Sequence, residues 1–155
     1  MLSHVASATG SGRRPPECTA DEFVTWRMAR EMAAAGMSFG GHTDTHPVLT
    51  TLPAADQRAE IERSLDRIAT ELGERPTTFA YPVGYQDTFD SSTKAAASAA
   101  GVRLAFSNYG GYTRTSNWDP LDIRRVAVGQ GTTEAAFRWT LGLPALFAPK
   151  WSRGR

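Results

Sequence analysis

The longest regular hydrophobic pattern in this chain lies between residues 53 and 72. Its apolar residues recur at helical spacing and are surrounded by charged residues, which is typical of a helix with one face in a core. These apolar residues are Ile61, Leu65, Ile68 and Leu72. Pro53 suits the start of such a helix, and Gly73 suits its end. We therefore predict a helix that packs against the protein core.

Shorter segments on both sides of this helix alternate between strand and helix patterns. A capping-box pair, Thr19 and Glu22, predicts a helix that includes Phe23 and ends at Gly36. The other predicted elements are strands at 37–39, 78–81, 102–107 and 123–128, and helices at 87–100 and 132–141. Such alternation favours a parallel sheet or barrel with crossover helices, in which functional loops follow the carboxyl ends of strands.

Composition excludes several classes of function. The chain has 155 residues with 41% hydrophobic and 21% charged residues, which fits one globular domain. A net charge of +1 does not favour binding to nucleic acid or an anionic membrane. Cys18 is the only cysteine, which excludes an intrachain disulfide and a thiolate-rich zinc site. With no long apolar run and no signal-peptide pattern, the chain as written is expected to be cytoplasmic.

The segment 40–47, Gly-Gly-His-Thr-Asp-Thr-His-Pro, carries the strongest chemical signal. It contains His42 and His46, two of the three histidines in the chain. Neutral imidazole is a common metal ligand, so the pair indicates a divalent ion, with zinc favoured. The flanking glycines and proline argue against a helix, and Thr43 stands where zinc proteases have glutamate. The alternative is that both histidines are hydrogen-bonded loop residues without a ligand.

The surroundings of this pair resemble the polysaccharide deacetylase family, the NodB-type carbohydrate esterases. Gly36 to Leu52 is similar to the family's second motif, His-Ser/Thr-x-x-His. The segment 75–84, Arg-Pro-Thr-Thr-Phe-Ala-Tyr-Pro-Val-Gly, is similar to the third motif in order and spacing. The segments 99–107 and 119–126 are similar to later parts of the domain. The resemblance extends over residues 19–128 and rests on this combination of motifs.

The resemblance implies an α/β fold, a distorted (β/α) barrel, and metal-dependent hydrolysis of the N-acetyl group of N-acetylated glycans. It implies that His42 and His46 are zinc ligands, with an aspartate as the third. It also implies that Tyr81, Pro82 and Val83 face the substrate, with the Val83 backbone N–H stabilising an oxyanion. In the family, a separate aspartate is the general base and a late histidine assists the leaving amine.

The chain departs from the family pattern at several positions. The first motif, Thr-Phe-Asp-Asp, belongs before Thr19, yet residues 1–18 contain no aspartate. Ala80 stands where many members have arginine, and no histidine follows His46. Asp44 is a candidate substitute ligand or base, so the catalytic residues stay unassigned. For Asp87 and Asp119, capping or turn roles are the simpler expectation. A loose aromatic set could line a sugar groove or pack in the core: Tyr81, Tyr85, Tyr109, Tyr112 and Trp118.

These observations predict three parts: a disordered extension at 1–18, a truncated deacetylase-like domain at 19–143 and a tail at 144–155. A truncated barrel has an open sheet edge, which a homodimer would cover. Two alternatives to an active deacetylase stay open at this point. One is a catalytically inactive carbohydrate-binding remnant, and the other is a fragment of a longer deacetylase that lacks its Asp-Asp motif.

Overall fold

The computed structural model describes residues 23–110, 115–129 and 131–143, which belong to two units. The first unit ends at Gly36 and contains α1 (Trp26–Ala34). Thr25 caps this helix, since its hydroxyl accepts a hydrogen bond from the Met28 N–H at 3.3 Å. The expected start of the helix was therefore wrong for Phe23, which precedes the cap and is exposed. The predicted cap at Thr19 and Glu22, the extension 1–18 and the tail 144–155 lie outside the described residues.

The second unit begins at Met37 and contains the predicted long helix, α2 (Ala54–Leu72). Pro53 occupies its N-cap and Gly73 its C-cap, where a φ of 82° places glycine in the left-handed region. Ile61 and Leu65 are fully buried, whereas the last two apolar residues of the predicted stripe are half-buried. The sequence-based prediction for this helix is confirmed, and its first half supplies the buried face.

The sheet is parallel, with the order β1 (Thr78–Ala80), β2 (Leu104–Ser107) and β3 (Ile123–Arg124). Phe79 is in register with Ala105, and Phe106 with Ile123. Helix α2 precedes β1, and α3 (Ser91–Ala99) connects β1 to β2. Neighbouring strands thus follow one another in chain order, as the predicted barrel-type fold requires.

The segment around Gly41, which precedes α2 in the chain, pairs with this sheet at a single residue. Gly41 pairs with Phe79 in parallel, through bonds from the Gly41 N–H to the Thr78 carbonyl (2.9 Å) and from the Ala80 N–H to the Gly41 carbonyl (2.8 Å). The predicted strand at 37–39 was therefore wrong. Beside β1, the regular pairing is confined to Gly41, immediately before the first histidine of the motif.

The other predicted elements are present with shorter bounds. Helix α3 starts at Ser91 rather than at residue 87, because Asp90 and Thr93 form a reciprocal capping box. Strand β3 ends at Arg124 instead of residue 128, and Val126 and Val128 beyond it are exposed. Helix α4 (Glu134–Gly142) is capped by Thr133, and none of its residues is buried.

The core lies between the sheet and the two helices α2 and α3. Its buried residues are Leu49, Ile61, Leu65, Phe79, Tyr81, Phe89, Ala97, Ala100, Val102, Ala105 and Tyr109. Thr93 of α3 donates to the Gln57 side chain of α2 at 2.6 Å, so the two helices also share a buried polar contact. Within the described ranges, no helix has the length and apolar character that a bilayer span needs.

Replacing Asp90 with alanine should lower the free energy of unfolding by about 1 kcal/mol at pH 7, because α3 loses its N-cap. The hydrogen bond from the Thr93 N–H, followed by that from the Ser92 hydroxyl, lowers the pKa of the Asp90 carboxyl. The stabilisation is therefore complete above about pH 4 and is lost as the pH falls through the lowered folded pKa. Denaturant unfolding at pH 7 and at pH 3 measures both effects.

The matched control is Asp87→Ala. The Asp87 side chain is exposed and lies only three positions earlier, and its backbone carbonyl, which the substitution keeps, accepts from the Thr50 hydroxyl. A destabilisation by Asp87→Ala equal to that of Asp90→Ala would contradict the capping assignment.

Candidate functional site

His42 lies at the carboxyl end of the sheet, one residue after the Gly41 bridge. Its Nδ1 atom is 2.8 Å from the Ala80 backbone carbonyl, the last residue of β1. Since a carbonyl can only accept, a neutral His42 carries its proton on Nδ1 and keeps a free lone pair on Nε2. Metal-bound histidines in proteins show this same pattern, in which the second ring nitrogen donates to a carbonyl or carboxylate. The bond therefore orients His42 and leaves Nε2 available as a ligand.

The loop that follows brings His46 back beside His42. The two rings have centroids 4.8 Å apart and an interplanar angle of 71°. Thr43 and His46 both have positive φ, 65° and 60°, so the chain curls between the two histidines. The Thr43 hydroxyl donates to the His42 carbonyl (2.5 Å) and accepts from the His46 N–H (3.1 Å), which closes the curl. The loop thus places two imidazoles together, as the sequence predicts.

Glu60 of α2 holds the middle of this loop. Its carboxylate accepts from the Asp44 N–H (3.0 Å), the Thr45 N–H (2.8 Å) and the Thr45 hydroxyl (3.1 Å). Arg63 donates to the same carboxylate at 2.5 Å. Burial would raise the pKa of Glu60, but the bonds from Thr45, Arg63 and Asp44 outweigh that effect and lower it. Glu60 therefore stays ionised although only 5% of its surface is exposed.

Asp44, the candidate substitute ligand or base, has its carboxylate on Arg63. The Arg63 Nε donates to Asp44 Oδ2 at 3.0 Å, and both side chains are largely exposed. In the described part of the chain, no three His, Cys, Asp or Glu side chains are arranged to hold a metal. The geometry thus gives Asp44 a place in the Arg63 ion pair, and the two imidazoles fit a divalent cation as a partial ligand set.

The predicted substrate-facing turn, 81–84, divides into a buried and an exposed part. The Tyr81 ring stacks on Phe89 with centroids 4.0 Å apart, and its hydroxyl donates to the Leu121 carbonyl at 2.8 Å. Burial, with the charges of Asp122 and Asp119, raises the pKa of Tyr81 far above its ordinary value. Pro82 is fully buried as well. The side chains of these two residues therefore belong to the core, and only Val83 is presented to solvent.

Val83 has a strained backbone. Its φ is 61°, in the left-handed region that β-branched residues rarely adopt, and its side chain is 41% exposed. Among the described residues, no backbone carbonyl accepts a hydrogen bond from the Val83 N–H. Strained residues of this kind collect at functional sites. Thr43, His46 and Val83 are the non-glycine residues with positive φ in the described ranges, and all three lie on these two loops.

The other predicted site residues take different places. Asp119 accepts from Lys94 (2.8 Å) and from the Leu121 N–H (2.8 Å), as expected of a turn residue. Tyr109 is buried, and its hydroxyl donates to Asp122 at 2.5 Å. Tyr85 and Trp118 are exposed. Tyr112 lies outside the described residues.

Glu60 and Arg63 were not predicted from the sequence to be part of the site. Both are among the charged residues that surround the apolar residues of the predicted long helix, which is the usual position of solvated charges. Helical spacing indicates which face a residue occupies, but not which loop lies against that face.

The sequence also matches a known protein family over a range that includes the histidine loop. The family described as "Polysaccharide deacetylase" matches residues 6–105, more than half of the chain. The chain belongs to the polysaccharide deacetylase family. The resemblance drawn from the histidine motif is thereby confirmed, and the matched range includes His42, His46 and the turn 81–84. Comparison with curated protein sequences gave no match.

Solved structures of deacetylases have the same fold as this family member. The Streptococcus pyogenes deacetylase PplD in complex with acetate is 23% identical with a TM-score of 0.67, over 87% of this chain and 54% of that protein. A polysaccharide deacetylase from Bacillus cereus is 18% identical with a TM-score of 0.68, over 90% of this chain and 46% of that protein. The deacetylase-family chain therefore spans about half the length of these proteins. The predicted fold class is confirmed.

Replacing Gly84 with alanine should destabilise this deacetylase-family chain more than replacing Gly73. Both glycines have positive φ, 73° and 82°, so both variants lose about 1–2 kcal/mol to left-handed strain. A Cβ on Gly84 would also lie 2.9 Å from the Asn108 backbone N, whereas a Cβ on Gly73 meets nothing within 4 Å. Thermal or denaturant unfolding of Gly84→Ala and Gly73→Ala measures the difference. Equal losses would show that the turn after Val83 can shift away from Asn108 freely.

Proposed function

We propose that this chain carries the two-histidine part of a metal-dependent hydrolase that removes acetyl groups from N-acetylated glycans. Membership of the polysaccharide deacetylase family supports the reaction type. The observation that carries the metal assignment is the 2.8 Å contact between His42 Nδ1 and the Ala80 carbonyl, with the His46 ring alongside. This arrangement leaves Nε2 of His42 free beside a second imidazole, as a metal ligand pair requires.

We assign the following roles in this reaction to residues of the chain. His42 and His46 would hold the metal, for which zinc is the favoured ion. When bound, a divalent metal polarises the amide carbonyl and lowers the pKa of its water to about 7. The exposed turn at Val83 offers a backbone N–H that could donate to the oxygen on which negative charge develops. We propose that the buried side chains of Tyr81 and Pro82 support that turn from the core.

A third ligand and a general base are the remaining requirements of this chemistry. Residues 1–18 contain no aspartate, and Asp44 is engaged by Arg63. We therefore expect weak hydrolysis by this chain alone and stronger hydrolysis once an Asp-Asp motif is supplied. The fragment interpretation agrees with the coverage of only 54% and 46% of the two deacetylases compared.

The expected homodimer stays a prediction. Strand β3 stands last in the described sheet, and Val126 and Val128 beyond it are exposed. A second copy could cover this edge. Sedimentation equilibrium should show a dimer at micromolar concentration, and a monodisperse monomer throughout would exclude it.

Calorimetric titration with Zn²⁺ should show micromolar binding to the wild type that is lost in both His42→Ala and His46→Ala. The expected reason is that each substitution removes one of two adjacent ligands. His4→Ala is the matched control, because His4 is the third histidine of the chain and lies outside the motif. Unchanged affinity in His42→Ala would contradict the metal assignment.

The reaction type is tested by acetate release from an N-acetylglucosamine oligomer. Fusion of an N-terminal segment that contains Thr-Phe-Asp-Asp should raise the rate at least tenfold, and a chelator should abolish it. The control fusion carries Thr-Phe-Asn-Asn, which removes both carboxylates and little else. Binding of the oligomer that a chelator does not affect, without acetate release, would instead indicate a carbohydrate-binding remnant.

A further inference from the structure

We propose that Glu60 is the positioning residue of the histidine loop, meaning that its carboxylate fixes the backbone between His42 and His46 so that the two imidazoles meet before any metal binds. The effect on metal affinity rests on the function proposed above, whereas the effect on the loop itself does not. Glu60 lies on α2, fourteen positions after His46, and is no ligand candidate of the family motif.

The geometry is that of one acceptor group for two consecutive peptide N–H groups. Asp44 and Thr45 both donate to Glu60 Oε2, at 3.0 and 2.8 Å, and the Thr45 hydroxyl donates to Oε1 at 3.1 Å. No other described carbonyl or side chain accepts from these two backbone N–H groups. The backbone in the middle of the His-x-x-x-His segment is thus attached to α2 through a single carboxylate.

The loop needs such an attachment because its backbone is strained. Thr43 and His46 sit at φ values of 65° and 60°, and residues other than glycine hold such angles only when their surroundings impose them. The Thr43 hydroxyl connects His42 and His46 within the loop, but it does not connect the loop to the sheet or to α2. Glu60 provides that connection on the His46 side, as the Ala80 carbonyl does on the His42 side.

Arg63 completes the network by forming an ion pair with the ionised Glu60 carboxylate. It lies one helical turn further along α2 and donates to Glu60 (2.5 Å) and to Asp44 (3.0 Å), so it bridges helix and loop. Glu60 is 6% exposed at its side chain and Arg63 is 52% exposed. The charged hydrogen bonds of Glu60 are therefore shielded from water, while Arg63 can be replaced without opening the core.

The test compares the wild type with Glu60→Gln and with the control Glu62→Gln. Glutamine keeps the size of Glu60 but loses the charge that both N–H groups share. Glu62 lies on the same helix and pairs with Arg58 at 2.8 Å, so its replacement removes a comparable charge away from the loop. Amide hydrogen exchange of Asp44 and Thr45 and the nuclear Overhauser contact between the two imidazoles are measured without metal. Zinc affinity is measured by calorimetry.

In Glu60→Gln, we expect exchange of the Asp44 and Thr45 amides to accelerate at least tenfold and the contact between the rings to weaken. Zinc affinity should fall by about 10- to 100-fold, the usual loss when a group that orients metal ligands is removed. Glu62→Gln should resemble the wild type in all three measurements. Wild-type exchange and ring contact in Glu60→Gln would overturn the proposal.

The two proposals fail in different ways. If the wild type shows no zinc binding that depends on His42, the metal function fails, and amide exchange in the metal-free protein still decides the role of Glu60. If Glu60→Gln does not fold, Glu60→Asp replaces it, because aspartate keeps the charge but its shorter side chain draws the carboxylate back from the Asp44 and Thr45 N–H groups. Glu60→Asp should accelerate exchange at Asp44 and Thr45, and no acceleration would overturn the proposal.

Discussion

The attachment of Gly41 to strand β1 is the constraint on which the candidate site depends. Two backbone hydrogen bonds join Gly41 to Thr78 and Ala80, and the space around Gly41 admits no side chain. A Cβ there would lie 2.8 Å from Leu65 and 2.9 Å from Phe79, both of them fully buried core residues. Because the backbone runs this close to the core, His42 emerges at the end of β1 with its ring on the Ala80 carbonyl.

The second histidine is held by a different kind of interaction. His46 reaches His42 only through a curl with two left-handed residues, each costing about 1–3 kcal/mol. Hydrogen bonds to a charged group contribute about 1.5–3 kcal/mol each, so the contacts of Glu60 with Asp44 and Thr45 can offset that cost. The buried Glu60 carboxylate therefore stabilises a loop conformation that its own backbone strain disfavours. At Val83, the third left-handed residue, the chain continues into Gly84, where a Cβ would lie 2.9 Å from the Asn108 backbone N.

The long helix and the alternation of strands with helices were predictable because they depend on local patterns. The apolar spacing of α2 and the glycine at its end were sufficient for bounds within one residue. Short elements were less predictable, since their ends depend on partners elsewhere in the chain. The predicted strand at 37–39 had an apolar pattern, yet the ladder bridge to β1 forms at Gly41, outside that segment, and α3 starts at the capping box of Asp90 rather than at Asp87.

By itself, the sequence determined the family, the parallel α/β fold and the two histidines, because each is encoded in residue types at fixed spacing. The tertiary structure decided which residues support those histidines and which of the predicted residues face solvent. Tyr81 and Val83 are two positions apart in the sequence, yet one stacks on Phe89 in the core and the other is exposed. In the sequence, Glu60 cannot be distinguished from a solvated helix charge, and only the folded loop places two peptide N–H groups on its carboxylate. Both outcomes depend on contacts between residues distant in the chain, which local spacing does not encode.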